Sequence, residues 1–324
     1  MNVLKTFGGA FAVLAGLLAA TAAGAQTNFP SKPIQLVVPA KPGGDTDLNS
    51  RLLAKHIGKH LSQPLVVVNT DGGGGNLAAQ KVAAAPADGH TILMLNTVLF
   101  TGRVVGTLQL GLSDFEVIGI PTYSDTLLWV TRKEAPFKTL QEMNKAVLAA
   151  PDTVKYAATV GAPSHIQAIA YEQAIGGDLK KIDTGSGSDK IVAVLSGQVD
   201  VLTTNYSLVK DYIASGEMNV LGNLGRERSA FLPDVPTFVE QDVKLGPDFN
   251  MFYVLLAPKG TPKDVIAALS DAVKATVEDP EVKQEFEKSY FTVNYRDSAA
   301  AKAYLEEREP EFMAMKEIVA ADKF

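Results

Sequence analysis

Short apolar runs alternate with stretches of helical period along most of this chain. The first set is Ile34–Val38, a helix-like run Leu48–Ile57 reaching towards His60, Leu65–Val68, a helix-like run Leu77–Ala85, and Thr91–Leu95. Four- or five-residue apolar runs bounded by Gly, Pro and Asp read as buried strands. Their alternation with helical segments predicts a parallel sheet with helices on both faces. A second set follows Trp129: helix Leu140–Ala149, Val154–Ala158, helix His165–Ile175, Ile191–Leu195, Val199–Thr203, helix Ser207–Ser215 and Val220–Leu224. Two doubly wound, Rossmann-like α/β units are expected in succession.

The tail reads differently. Thr261–Val277, Pro280–Ser289 and Ala299–Val319 are helical in pattern, with Pro262 and Pro280 at helix openings. Helices with few strands of their own must pack on an earlier unit, and the first is the natural host. That places chain crossings near Leu127–Thr131 and near Phe252–Leu256, both apolar strand-like runs. The expected division is residues 26–128 for one lobe, 129–252 for the second, and 253–324 returning to the first. Two crossings between two lobes form a hinge around a cleft, and open α/β sheets bind ligands at the carboxyl ends of their strands.

A length of 324 residues, with 46% apolar and 20% charged, is that of a soluble protein large enough for two cores. Lys5, the apolar run Phe7–Ala20 and the small residues Thr21-Ala22-Ala23-Gly24-Ala25 read as a secretory signal over residues 1–25, with Gln26 as the mature start. An uncleaved anchor helix is the alternative, disfavoured by the short run. Without Lys5 the chain carries 29 basic and 36 acidic residues, a formal charge of −7. No basic stripe suggests nucleic acid, and the absence of cysteine removes disulfides, thiol nucleophiles and cysteine metal sites.

Two stretches run from strand through a Gly/Pro-rich turn into helix. One is Pro39-Ala40-Lys41-Pro42-Gly43-Gly44-Asp45-Thr46-Asp47 after Ile34–Val38; the other is Thr159-Val160-Gly161-Ala162-Pro163-Ser164 before His165–Ile175. Helix starts offer unpaired N–H donors and a partial positive charge, so two facing one cleft can hold a carboxylate without metal or arginine. Pro42, Gly43, Gly44, Thr46, Gly161, Ala162 and Ser164 are therefore ligand candidates. The same residues also suit an ordinary turn with Asp45 or Thr46 as a cap. Asp47, a further candidate, suits a bracing role in the first helical turn. Ser164-His165-Ile166-Gln167 fits a capping box, and His165 is a possible donor to an anion.

The glycine run Gly72–Gly75 satisfies G-x-G-x-x-A through Gly73, Gly75 and Ala78, but no acidic partner lies about 20 residues on. It reads as backbone near the cleft, with Gly75 and Asn76 as ligand candidates, and no nucleotide cofactor is expected. His56 and His60 have a metal-like spacing without the glutamate of H-E-x-x-H, so a solvated helix end is the reading and no metal site is assigned. No nucleophile motif supports catalysis. Asn96, Asp183 and Asn205 complete the candidates; Asn205 stands at the carboxyl edge of a strand.

Taken in order, Phe29-Pro30-Ser31-Lys32-Pro33-Ile34, Val38–Asp47, Gly74-Gly75-Asn76, Asp88-Gly89-His90-Thr91, Asp114-Phe115, Gly161-Ala162-Pro163-Ser164-His165, Ser196-Gly197-Gln198-Val199-Asp200 and Ala257-Pro258-Lys259-Gly260-Thr261-Pro262 resemble the extracytoplasmic solute-binding proteins of tripartite tricarboxylate transporters, the TctC or Bug family. The resemblance spans essentially the whole mature chain. It implies a type II periplasmic-binding-protein fold, a monomer that closes over a small organic carboxylate and delivers it to membrane permease subunits. It also implies that the Pro39–Asp47 and Gly161–Ser164 loops grip one carboxylate. A ligand-sensing subunit for a signalling receptor and, further off, an exported enzyme acting on a carboxylate are the alternatives. Where the family usually has a Pro-Tyr-Lys-Gly-like stretch, this chain has Ile182-Asp183-Thr184-Gly185. Losing an aromatic and a cation while gaining Asp183 favours a distal hydroxyl or amino group on the ligand over a second free carboxylate.

Overall fold

The computed structural model describes residues 29–185 and 187–322, so the expected secretory segment and Gln26 lie outside the described residues. Strand and helix alternate through β1 (Ile34–Val38), α1 (Asp45–Ile57), β2 (Leu65–Asn69), α2 (Asn76–Ala83), β3 (Thr91–Leu95) and α3 (Val98–Val105). Next, β4 (Phe115–Ser124) runs almost directly into β5 (Leu127–Arg132). There follow α4 (Leu140–Ala149), β6 (Lys155–Ala158), α5 (Pro163–Ile175), β7 (Lys180–Asp183), α6 (Gly187–Leu195), β8 (Val201–Asn205), α7 (Tyr206–Ala214) and β9 (Met218–Asn223). The chain ends in β10 (Met251–Pro258), α8 (Lys263–Val277), α9 (Pro280–Lys288), β11 (Thr292–Arg296), α10 (Ser298–Met313) and α11 (Lys316–Ala321).

These strands make two sheets, ordered β11-β4-β10-β3-β1-β2 and β7-β6-β8-β5-β9. The sheets are mixed, not parallel throughout. Only β2-β1-β3 and β7-β6-β8 pair in parallel; β10 is antiparallel to β3 and β4, β11 to β4, and β5 to β8 and β9. Apart from β11 in the tail, the strands that run against their neighbours flank the crossings, where the chain turns between sheets without a helical crossover. The first sheet change falls at Asp125-Thr126 and the second within residues 224–250, since β5 lies wholly in the second sheet and β10 wholly in the first. The first change lies just before Leu127–Thr131 and the second before Phe252–Leu256. Both runs are central strands whose apolarity reflects burial on two faces.

Trp129 of β5 centres the second lobe, its ring 4.7 Å from that of Tyr156, 4.9 Å from Tyr171 and 5.1 Å from Phe238. In the first lobe the tail helices α8 and α10 cover β4. Phe312 near the end of α10 is buried with its ring 5.4 Å from Phe100 of α3 and 5.8 Å from Phe249. Gly119 in β4 permits the edge strand to approach, because a Cβ there would stand 2.8 Å from the Arg296 carbonyl oxygen.

α1 ends at Ile57, so His60 lies beyond it, and His56 is not a solvated helix end. Its Nε2 is 2.6 Å from Glu285 of α9, which also accepts from Lys55. Among the described residues no group of His, Asp and Glu could hold a metal ion, and no helix is long and apolar enough to cross a membrane.

If the tail is integral to the first lobe, Phe312→Ala destabilises the protein by about 3–5 kcal/mol, the usual cost of emptying a buried aromatic site. Urea denaturation measures it.

Candidate functional site

The carboxyl ends of β1, β3, β6, β7 and β8 converge on a cavity of about 530 Å³ between the lobes. The first lobe supplies Pro39 and Ala40 after β1, Asp45 and Thr46 at the start of α1, the run Gly72–Gly75, and Asn96 after β3. The second supplies Val160, Ala162, Ser164 and Gln167 around the start of α5, with Asp183, Lys190 and Asn205. Both helix starts thus border one space, but they differ in kind.

At α1 the donors already face an anion. The Asp45 carboxylate lies deep in the protein with part of its surface open to the cavity, and its Oδ2 accepts from Tyr253 Oη and Asn205 Nδ2, each at 2.8 Å. Burial pushes its pKa up; Tyr253, the backbone N–H groups of Thr46 and Asp45, and Lys190 pull it back. Thr46 is buried and accepts from Asn96 Nδ2 at 3.1 Å. A ligand carboxylate at this end would meet a like charge.

Beyond Ala40, the loop before α1 is braced and does not line the cavity. Asp47 accepts from the Gly43 N–H, Arg51 Nε and Asn69 Nδ2, all at 2.9 Å, while Asn69 also donates to the Ala40 carbonyl. Burial raises the Asp47 pKa, but these donors outweigh it and hold the carboxyl below its usual range. Pro42, Gly43, Gly44 and Asp47 do not line the cavity, and Pro42 and Gly43 are exposed. Nor does Asn76, which opens α2.

The start of α5 brings a buried cation to the cavity. Lys190 of α6 is only 7% exposed, and its Nζ donates to Ser164 Oγ at 2.7 Å. Ser164 Oγ also accepts the Thr159 N–H at 3.2 Å, which leaves the hydroxyl proton free for the cavity. Gln167, one turn on and 1% exposed, borders the cavity with both amide atoms unpartnered. The predicted capping box is absent: α5 begins two residues early at Pro163, with Ala162 as its cap. Proline preset the first turn and released the serine for Lys190. Burial lowers the Lys190 pKa to about 8, against the attraction of Asp45 and Asp183.

Two further candidates serve the lobes instead of the cavity. The Gly161 carbonyl accepts from Thr101 Oγ1 of α3 at 3.1 Å, and a Cβ at this glycine, φ +79°, would strike Thr107. His165 is buried, with Nε2 3.3 Å from Asp322 in the tail; burial lowers its pKa while Asp322 opposes. Asp183 remains exposed at the rim, accepting the Gly185 N–H at 3.0 Å. Sequence reasoning missed Lys190, a cation inside the apolar run of α6, and Tyr253. The signal for Lys190 was a lone lysine on the buried face of a helix, legible only once that face is known.

The lobes touch around the cavity. Lys41 Nζ donates to Asp189 at 2.7 Å, Asn205 reaches Asp45, and a Cβ on Gly187 would lie 3.6 Å from the Gly44 Cα. Gly74, at φ +61°, lies so close to the second lobe that a Cβ would stand 2.9 Å from the Val160 carbonyl oxygen.

This two-lobed α/β architecture with a polar cavity at the strand ends defines a solute-binding protein of the periplasmic class. Residues 50–318 match the model of the tripartite tricarboxylate transporter family receptor, TctC, and the chain belongs to that family. Its members are periplasmic solute-binding proteins, not enzymes. The chain is 30% identical over 304 residues to the protein of the TAR-I ttuE-ttuC' intergenic region of Agrobacterium vitis, covering 91% of this chain and 86% of that one. It is 29% identical over 292 residues to BugT of Bordetella pertussis, covering 86% and 85%. Among solved structures, the periplasmic binding protein BugD superposes with a TM-score of 0.83 at 26% identity, covering 91% of this chain and all of that one. MatC from Rhodopseudomonas palustris with bound malate gives 0.78 at 27%, covering 90% and 100%.

The Lys190 charge is a cost that folding must bear below about pH 8. The cost fades as pH rises towards 10.5, where the unfolded chain loses the same proton. Lys190→Met therefore stabilises the ligand-free protein at pH 7, and its advantage over wild type shrinks by pH 10. Thermal melting at both pH values measures this difference.

Proposed function

We propose that this protein closes over a small organic carboxylate in the periplasm, as a monomer, and delivers it to the membrane permease subunits of a tripartite tricarboxylate-type transporter. The observation that carries the proposal is the buried Lys190 ammonium beside Ser164 and the unpartnered Gln167 at the start of α5. That group combines a full positive charge, a hydroxyl proton, an amide and a helix start, and it suits a carboxylate. Malate in MatC agrees with this ligand class.

A micromolar complex needs about 8 kcal/mol, and each charge-assisted hydrogen bond contributes about 1.5–3 kcal/mol. The cluster at α5 supplies part of this and contacts from the first lobe the rest, so ligand favours the conformation in which the lobes meet.

A thermal-shift screen of organic acids tests the function. A true ligand at 100 times its Kd adds about 2.7 kcal/mol of apparent stability. Failure of every carboxylate to raise the melting temperature would sink the proposal. Affinity for the identified ligand falls as pH rises above about 8, by up to about tenfold per unit, because Lys190 must regain its proton to bind. Calorimetry from pH 7 to 10 reads this.

Gly74→Ala weakens ligand binding about tenfold or more, since the methyl meets Val160 across the cleft, while the ligand-free melting temperature moves by only a few degrees. Calorimetry beside thermal melting separates the two effects.

A further inference from the structure

A site for anions alone has no use for a carboxylate at its other end, yet Asp45 borders the same cavity as Lys190. No Lys, Arg or His among the described residues lies within 4.0 Å of Asp45; its side-chain partners are the neutral Tyr253 and Asn205, both on Oδ2. Among the described residues, Lys190 likewise bonds only to the Ser164 hydroxyl. The two charges influence each other across the cavity without direct contact. Asp183 and Asp71, both exposed, add two more negative charges at the rim.

We propose that the ligand is a zwitterion, a small aminocarboxylate whose carboxylate is held by Lys190, Ser164 and Gln167 while its ammonium lies against Asp45. The inference rests on the carboxylate-binding function proposed above and adds the ligand's opposite pole.

Charge balance selects this class. With Asp45, Asp71, Asp183 and Lys190 ionised, the cavity lining carries a net charge of −2. A dicarboxylate adds two negative charges and places one near Asp45, where no cation receives it. An aminocarboxylate adds no net charge and sets each pole against its opposite. Asp45 Oδ1 has no side-chain donor, which leaves an acceptor for an ammonium N–H. Gln167, 1% exposed and unpartnered, is the independent sign that the α5 end is built for a polar ligand. Tyr253 and Asn205 hold the Asp45 carboxylate from two sides, one from each lobe, so the ammonium contact forms where the lobes join.

Calorimetry on the purified protein tests this with aminocarboxylates of two to six carbons, the amine placed at successive positions, beside unsubstituted monocarboxylates and dicarboxylates of the same lengths. The best aminocarboxylate is expected to bind about tenfold or more tighter than the best compound of either other series. Asp45→Asn removes most of that advantage, and Lys190→Met weakens binding of all three series. A dicarboxylate that binds tightest, or an unchanged advantage in Asp45→Asn, overturns the zwitterion while leaving carboxylate binding intact. No binding by any series overturns the carboxylate function itself. The wild-type ranking is decisive even where a variant fails to fold.

Discussion

Two opposite charges held apart in one buried space are the constraint around which this protein is organised. Lys190 and Asp45 come from different lobes, and neither has an ion-pair partner among the described residues. Burial drives each towards its neutral form, lowering the lysine's pKa and raising the aspartate's. Such groups are expensive to keep in a protein interior, and a ligand of matching charge offsets the cost directly. Ligand affinity and the weakness of the empty site therefore share one origin.

The scaffold around these charges spends its polar groups on rigidity. Asp47, Arg51 and Asn69 fix the loop that carries Asp45 into place, and Ser124 donates to Asn205 at the crossing between sheets. On the opposing side α5 is buried along its first three turns, between the second sheet and helices of the first lobe, so Ser164 and Gln167 have little freedom. Glycines do the complementary work where the lobes approach. At Gly74 and Gly161 the backbone takes conformations that side chains resist, at places where a Cβ would hit the opposite lobe.

The tail binds the two lobes into one mechanical unit. α10 and α8 pack against β4, beside the first crossing, and Asp322 beyond α11 pairs with Lys181 and His165 of the second lobe. The returning chain thus contacts both lobes, as does the Lys41–Asp189 pair. Opening the cleft must alter contacts on both sides of the cavity, which confines the motion to a few linked arrangements.

The sequence by itself determined the alternation of strand and helix, because periodicity and turn residues are local: β1, β3 and α4 begin and end where the pattern places them. It also pointed to the cleft at the strand ends, which parts of both glycine-proline turns line. It did not determine strand direction, since β4 and β10 are buried on both faces and carry no alternation, and Gly119 and Pro121 interrupt β4. Nor did it reveal which loop residues meet the cavity. Gly43 and Gly161 look alike in a string, yet one is exposed and the other packs against Thr107. Lys190 and Asp45 lie far apart along the chain, and only the folding of one lobe against the other makes them face each other. Coulomb energy depends on separation and burial in space, and neither quantity is written in the order of residues.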